Sequence, residues 1–322
     1  MIPRTFFRMD PLCHTLVGWT LARAGLSDRT PLATTALVLG ANAPDVDAIT
    51  YFTGSSLWWR RGWTHGVLAL GVWPFAIAAI LLIGARLSGR RSATRPPPVY
   101  ATLVWIAGLG VLTHPLLDFL NNYGIRWLMP FDDRWFYGDA LFIVEPLVWG
   151  CLLTGLCASW YARKHASNPT RPARWALAVV SVYAGLMLVL GHGGRAVVNR
   201  QFADRGRPVN AQTMVSPVLG GFSLRYVVAD AGPHYYVAGF RWWPSAALDP
   251  GWRTIDKNDR HPAVKAALAA SSARGFVAWA RFPFYVIHDA GDAFLVTMDD
   301  ARYAPPGGQS WAAVHVRVPK GG

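Results

Sequence analysis

The apolar positions before about residue 195 fall into six stretches that are separated by short polar motifs. Residues 12–26 and 31–43 are apolar but shorter than the ~20 residues that cross a bilayer, and Gly25 and Pro31 interrupt the pattern between them. They predict a helical hairpin that is partly inserted or packed against longer helices. Four further stretches are long enough to span a membrane: residues 66–86, 99–120, 140–161 and 175–192.

The pattern changes from about residue 195 onward. Short runs rich in Val, Phe and Tyr, such as residues 222–228, 234–237 and 293–297, alternate with Gly, Pro and Asp, which is typical of strands and turns. Residues 261–272 predict a helix. We therefore expect a mainly α protein, in which a polytopic helical membrane domain at 1–194 is followed by a small β-rich extramembrane domain at 195–322.

Composition and charge favour a membrane over nucleic acid. Charged residues make up 15% of the 322 residues, well below the ~25% of soluble domains. The formal net charge is +13, and the basic residues cluster in loops beside apolar stretches. This arrangement favours anionic membrane lipid as partner, and we expect no nucleic acid partner.

The same basic loops predict how the chain is oriented. Residues 86–98 and 163–174 carry most of the loop charge, which places them in the cytoplasm by the positive-inside rule. The predicted location is the bacterial inner membrane, with several spans and with the β-rich domain outside. Residues 1–8 lack the apolar core of a cleavable signal peptide. The three cysteines form no CxxC pair and predict neither a disulfide framework nor a cysteine zinc site.

Histidines and aspartates lie at the ends of the predicted spans. His65 opens one span, and the next span runs back to place His114 and Asp118 at the same membrane face. His114 and Asp118 are four residues apart, so on a helix they share one side and can bind one ion. The turn holding Asp45 and Asp47 leads into His65, and His14 precedes a short helix. Mixed His and Asp ligands favour zinc, with manganese or iron as alternatives, over magnesium or calcium.

Each motif also has an interpretation without metal. Asp45 and Asp47 follow Pro44 and could form an Asx-rich turn. His114 with Asp118 could be a helix-end ion pair, and His14 taken alone is typical of a buried, hydrogen-bonded histidine. Thr64 is a candidate helix cap that would place His65 in the first turn of the span.

Further polar residues extend the candidate site. Glu145 lies in the apolar segment 142–146, where a lone carboxylate is costly unless it is protonated or paired. Asp139 and Glu145 are therefore candidates for remaining ligands or a general base, with Asp45 as a further catalytic carboxylate. Arg61, with its neighbour Arg60, is a candidate for stabilising charge on an attacked phosphoryl or carbonyl oxygen.

These motifs carry a resemblance to a known family. Met-Asp-Pro-Leu-x-His14-Thr, Asn-x-Pro-Asp-x-Asp47, Arg-Gly-x-Thr-His65 and Thr-His114-Pro-Leu-Leu-Asp118 resemble the bacterial membrane-bound metal-dependent hydrolases of the YdjM-like family over residues 9–150. Their order is also similar to that of the zinc-dependent phospholipase C and single-strand nuclease superfamily. The resemblance implies a metal-ligand set of five residues: His14, Asp47, His65, His114 and Asp118.

The chain departs from the superfamily pattern after Asp118. The superfamily continues with another His and a His-x-x-x-Glu pair, but no histidine lies between Asp118 and Glu145. We therefore expect one or two metals, with Asp139 or Glu145 assisting, and hydrolysis of an amphipathic substrate such as a phosphate ester or other lipid-like molecule. The alternative is a non-catalytic membrane protein, with a structural metal site and a C-terminal domain that binds a partner.

Overall fold

The computed structural model describes residues 10–53, 56–88, 97–165, 167–210, 212–304 and 310–320. Residues 1–8 and most of the predicted basic loop 86–98 lie outside these ranges. The chain divides into two compact units. The first takes in the chain up to Ala48 together with Arg61–Leu188, and the second takes in Ile49–Arg60 and Val189–Gly322.

Among the residues that the structure describes, seven α-helices precede the first strand. They are α1 (Pro11–Arg23), α2 (Ala33–Asn42), α3 (Ser56–Trp59), α4 (Val67–Leu87), α5 (Tyr100–Leu120), α6 (Pro146–Lys164) and α7 (Arg171–Asp204). A 3₁₀ segment, Ala43–Thr53, follows α2. Asp10 caps α1 by accepting a hydrogen bond from the Cys13 N–H (2.8 Å), and Pro11 at the first helical position needs no such partner.

Three helices in the described part of the chain are long and apolar enough to cross a membrane: α4, α5 and α7. The spans predicted at 66–86 and 99–120 therefore match α4 and α5 to within one residue at each end. The span predicted at 140–161 is wrong at its start, because α6 begins at Pro146. It also falls short of the apolar composition of the other three, since it contains Gly, Thr and Ser and ends on Arg163 and Lys164.

Two glycines allow α2 to lie directly against α5. A Cβ at Gly40 would lie 2.5 Å from the Ala107 carbonyl oxygen, and one at Gly110 would lie 2.5 Å from the Leu37 carbonyl oxygen. Neither position has room for a larger residue. Leu37, Ile106, Ala107 and Val111 are fully buried along this contact. The close approach brings the C-terminal end of α2 to the turn of α5 that carries His114.

The second unit contains two antiparallel sheets. Strands β1 (Thr213–Pro217), β2 (Leu224–Asp230), β3 (His234–Arg241) and β4 (Ala247–Leu248) pair in this order, and β5 (Arg253–Asp256) pairs with β3. Strands β6 (Pro283–Asp289), β7 (Ala293–Asp300) and β8 (Val314–Pro319) form the other sheet, against which α8 (Pro262–Ala269) and α9 (Arg274–Trp279) pack. The β-rich character predicted for the C-terminal part is therefore present, with the helix predicted at 261–272 beginning at Pro262.

Helix α7 runs through the predicted domain boundary at residues 194 and 195. Val198 and Phe202 of this helix are buried against Val215, Val227 and Phe240 of the larger sheet, so its last turns belong to the C-terminal core. The division between the units falls at Leu188 and Val189, and the short segment Ile49–Arg60 joins the second unit. A helix that serves two cores leaves no break in the sequence to mark the boundary.

Candidate metal centre

The candidate residues come from four segments of the first unit and are brought together by the packing of α1, α2 and α5. His14 lies on α1, Asp45 and Asp47 on the 3₁₀ segment, His65 just before α4, and His114 with Asp118 on α5. His14, Asp47, His65, His114 and Asp118 are all buried. The predicted grouping of these residues at one end of the helices is therefore present.

Four ligand atoms converge at the centre of this cluster. Nε2 of His65 lies 3.1 Å from Nε2 of His114, and Oδ2 of Asp118 lies 3.4 Å from each nitrogen. Oδ1 of Asp45 lies 3.9 Å from the His65 nitrogen and 3.7 Å from the His114 nitrogen. Ligands held at about 2.1 Å around a tetrahedral ion lie about 3.4 Å apart, so the spacings of His65, His114 and Asp118 fit a single ion of that kind, whereas Asp45 groups with His14 and His114.

The outer nitrogens of His65 and His114, which are their Nδ1 atoms, already form hydrogen bonds. Nδ1 of His114 lies 2.7 Å from the Ala41 carbonyl oxygen, which can only accept, so Nδ1 carries the proton and donates. Nδ1 of His65 lies 2.9 Å from the Thr64 hydroxyl, and that hydroxyl donates to Oδ2 of Asp47 (3.3 Å). The hydroxyl therefore accepts from His65.

Both Nε2 atoms are left with lone pairs that face each other across 3.1 Å. Two lone pairs at that distance, beside the Asp118 carboxylate, repel one another unless a proton or a metal ion lies between them. The residues present therefore fit a divalent ion, and the hydrogen bonds to the outer nitrogens match the supporting contacts typical of metal-ligating histidines.

The two aspartates of the 3₁₀ segment have different surroundings. Asp45 faces the inner nitrogens of His65 and His114. Asp47 instead accepts hydrogen bonds from the Arg61 backbone N–H (2.9 Å) and from Thr64, and its Oδ2 lies 3.5 Å from the outer nitrogen of His65. From the sequence, Asp47 is expected as a ligand and Asp45 as a catalytic carboxylate. The structure places Asp45 among the ligand atoms and Asp47 where it orients His65.

Arg61 is a buried partner of Asp118. Its guanidinium lies 2.8 Å from Oδ1 of Asp118 and donates to Oδ1 of Asn121 (2.9 Å) and to the Gly124 carbonyl oxygen (3.1 Å). The guanidinium carbon also lies 4.6 Å from the centre of the Tyr123 ring. Through these contacts Arg61 fixes the orientation of Asp118. The sequence had suggested instead that Arg61 contacts the substrate directly. Arg60 is buried as well but belongs to the second unit.

His14 forms a second group of potential ligands with Asp45 and His114. Its ring stacks on His114 with centroids 3.8 Å apart, and its Nε2 lies 3.6 Å from Oδ1 of Asp118. Burial lowers the pKa of His14, with His114 as the next cause, which favours the neutral imidazole that binds metals. The two groups of potential ligands share His114.

A small cavity borders the cluster and contains two further carboxylates. It is lined on its polar side by Asp10, His14, Arg61, Asp118 and Glu145. Asp10 accepts hydrogen bonds from the Cys13 N–H and the Trp149 indole (2.8 Å each), and burial raises its pKa to about 6. Asp10 is not among the site residues predicted from the sequence, although its position before Pro11 is typical of a helix cap.

Two predictions change once the structure is known. Asp139 is buried and has a φ of 51°, and it belongs to neither group of potential ligands among the described residues. The loop that carries it pairs with the end of α5 through the Gly138 N–H and the Phe119 carbonyl oxygen (2.6 Å). Thr64 does not cap α4, because the helix begins at Val67 with Gly66 as its cap. Its hydroxyl supports His65 instead.

Comparisons with known proteins identify relatives of the helical part. Residues 9–193 match the model of a family described as YdjM inner membrane protein. A curated relative, the uncharacterized protein YfhP of Bacillus subtilis (strain 168), is 25% identical over 166 residues. That match takes in 48% of this chain and 47% of the relative, so the chain spans about half the length of YfhP. No solved structure matches the chain significantly.

Proposed function

We propose that this chain, which belongs to the YdjM inner membrane protein family, is a membrane-bound hydrolase that depends on a divalent metal ion. His65, His114 and Asp118 would hold the ion, and Asp45 or His14, which form the other group with His114, would complete the set or hold a second one. Zinc fits two imidazoles and two carboxylates best, with manganese or iron as alternatives. Divalent ions held by such ligands activate water for hydrolysis near neutral pH.

The single observation that carries this proposal is the pair of inner histidine nitrogens. They lie 3.1 Å apart with their protons fixed on the opposite side by Ala41 and Thr64. A hydrogen-bonded core histidine does not need this arrangement, because either tautomer can pair with a neighbour. The proposed likeness to zinc-dependent phospholipases and nucleases rests on the same ligand order.

The residues of the chain have distinct tasks in this proposal. Arg61 holds Asp118 and balances its charge, and Asp47 holds His65 through Thr64. Glu145 borders the cavity beside Asp118 and is the candidate for accepting or donating a proton to substrate. The same cavity has an apolar side formed by Leu117, Leu141, Phe142, Ile143 and Val148. The cavity, of about 20 Å³, holds little more than a water molecule, so an amphipathic substrate, such as a phosphate ester with a lipid tail, is proposed from the membrane location of the family.

Substitution of one ligand tests the enzyme directly. Protein in detergent or nanodiscs is assayed with phosphate mono- and diesters, phospholipids and carboxyl esters, with and without chelator. Asp118→Asn removes a negative charge beside the ion, and we expect turnover to fall by ~100-fold or more, as when metal shells are disturbed. Asp133→Asn, the same change at an exposed loop carboxylate, is the matched control. Absence of chelator-sensitive turnover, or equal rates in wild type and Asp118→Asn, contradicts the proposal.

One observation favours the second candidate, a structural metal site. His65, His114 and Asp118 are buried almost completely, and structural sites are closed by protein ligands, whereas catalytic sites keep a position for water. Metal content that is stoichiometric in a protein without turnover on the full panel supports this candidate.

We also propose that the metal centre faces the outer side of the inner membrane. The proposal rests on the positive charge of the loops 86–98 and 163–174, which favours the cytoplasmic side. For the second loop it depends on whether α6 crosses the membrane. If α6 spans with α4, α5 and α7, loop 163–174 lies in the cytoplasm and opposite His65. If only three helices span, that loop lies on the same side as His65. Labelling of single cysteines at Ser167 and Asp133 in intact and permeabilised cells separates these arrangements. Labelling of Asp133→Cys only after permeabilisation contradicts the outward orientation.

A further inference from the structure

An exposed apolar surface lies at one end of the larger sheet of the second unit. It consists of Leu219 and Phe222 in the loop between β1 and β2 and Trp243 in the loop after β3, with exposed fractions of 59%, 49% and 78%. The two loops are joined at Ser223, whose carbonyl oxygen accepts from the Trp242 N–H (3.1 Å) and whose hydroxyl accepts from the Trp243 N–H (3.0 Å). We call these three residues the apolar tip.

The apolar tip is held at a fixed level along helix α7. The indole of Trp242 packs on α7 at Gly193 and Gly194, where a Cβ would lie 3.6 Å and 3.5 Å from the ring. At Gly194 a Cβ would also lie 3.0 Å from a methyl of Val215. These two glycines therefore let the sheet lie close against the helix, and Trp243 follows directly in the chain.

Gly193 and Gly194, where Trp242 packs, lie at the end of the apolar part of α7. Residues 175–194 contain no Asp, Glu, Lys or Arg, and Arg195 is the first charge after them. Twenty helical residues extend about 30 Å, which equals the thickness of the hydrocarbon core of a bilayer. If α7 crosses the membrane over this stretch, Gly193 and Gly194 lie at the membrane–water interface.

We propose that the apolar tip inserts into the interfacial region of the same bilayer that α7 crosses. Trp favours that region, because its ring buries apolar surface while the indole N–H stays near the headgroups, and Phe and Leu add apolar surface beside it. A second copy or another protein could cover the same residues, but the position beside the end of an apolar span favours lipid. The insertion would anchor the sheet at two points, the end of α7 and the loops.

A spin label tests the environment of the apolar tip. Trp243→Cys is made in a chain whose Cys151 and Cys157 are replaced by Ser, while the buried Cys13 is kept and the unlabelled background is checked. The full chain is placed in nanodiscs of phosphatidylglycerol and phosphatidylcholine. Collision rates are measured with oxygen, which concentrates in lipid, and with a nickel chelate, which stays in water.

Val286→Cys provides the matched control, because Val286 is an exposed apolar residue of β6 in the other sheet. The label at residue 243 should collide more with oxygen and less with nickel than the label at residue 286. Leu219→Cys, on the other loop, should behave like residue 243 and keeps the test valid if Trp243→Cys does not fold.

Two results overturn the proposal. Equal nickel collision rates at residues 219, 243 and 286 mean that the apolar tip lies in water. Low collision rates with both reagents, together with an immobilised spectrum, mean that protein covers it. Neither result bears on the metal centre, which is tested separately by metal content and turnover.

Discussion

Two buried clusters of charged residues, one in each unit, differ in how their charges are balanced. In the second unit, Asp300 accepts hydrogen bonds from the backbone N–H groups of Arg281 (2.7 Å) and Phe282 (3.2 Å), and its carboxylate pairs with the guanidinium of Arg302 (2.9 Å). Asp299 accepts from the Ser310 N–H (2.8 Å) and from the Ser310 hydroxyl. In each of these hydrogen bonds and ion pairs, a donor group faces a carboxylate oxygen that accepts.

The candidate metal centre lacks this balance. Asp118 has Arg61 on one oxygen, but its other oxygen faces the two histidine nitrogens that carry lone pairs, and Asp45 faces the same nitrogens. Acceptors that face acceptors in a buried site need a cation. The comparison teaches that burial of charge alone does not indicate a ligand site. The orientation of the lone pairs distinguishes a cluster whose charges are already paired from one that needs a proton or a metal ion.

The largest effect should come from breaking the structural cluster. Asp300→Ala leaves the buried guanidinium of Arg302 without its counter-charge, and removal of one partner of such a pair costs about 3–5 kcal/mol. We expect the second unit to unfold at a lower denaturant concentration, while the metal content per chain stays unchanged. Asp292→Ala, which breaks the exposed pair with Arg317, is the control and should have little effect. Loss of metal in Asp300→Ala would show that the clusters are coupled.

Removal of metal should affect only the first unit. An ion present at 100 times its dissociation constant stabilises the folded state by about 2.7 kcal/mol. Chelation should therefore speed amide hydrogen exchange around Ala41, Asp45 and His65 and leave β2 and β7 unchanged. Uniform acceleration in both units, or no change near Ala41, would contradict the assignment of the ion to the first unit.

The two aspartates of the 3₁₀ segment should differ in their effect on metal affinity. Asp47→Asn disturbs the orientation of His65 and should weaken metal binding by about 10–100-fold, as expected for a supporting contact. Asp45→Asn removes a ligand atom and should weaken binding more. Competition with a metal-sensitive dye measures both. A stronger effect of Asp47→Asn would restore the assignment made from the sequence.

The smallest expected effect is on the acid stability of the second unit. Burial alone would raise the pKa of Asp300, but the charge and hydrogen bonds of Arg302 hold it below its usual range. The ionised carboxylate therefore stabilises the fold above the unfolded pKa of about 4, and this contribution is lost as the pH falls toward the lowered folded pKa. In Asp300→Asn, the free energy of unfolding of the second unit should decrease less steeply between about pH 5 and pH 2 than in wild type, as measured by circular dichroism. An unchanged decline would mean that other carboxylates control acid unfolding.

Much of the helical part could be predicted from the sequence. The long apolar runs of α4 and α5 predict their bounds, because about 20 consecutive apolar residues are needed to cross a bilayer as a helix. Their antiparallel order brings His65 and His114 to one end, so the grouping of the site followed from helix length alone. The family assignment agrees with the motifs that carried the resemblance.

The finer features required three-dimensional contacts. Asp45 and Asp47 are two residues apart, and only the 3₁₀ segment and the Arg61 N–H decide which one faces the histidines. The role of Arg61 could not be predicted either, since Asn121 and Gly124 are sixty residues away. The boundary of the second unit is hidden because α7 contributes to both cores.

Elemental analysis of the purified full chain tests the central claim most directly. The account predicts at least one zinc, manganese or iron per chain in wild type, and none after the double substitution His65→Ala and His114→Ala. The variant His261→Ala with His315→Ala, which changes two histidines of the second unit, should keep the wild-type metal content. Metal content that is the same in wild type and in the His65/His114 variant, or wild-type protein without stoichiometric metal, would contradict the account.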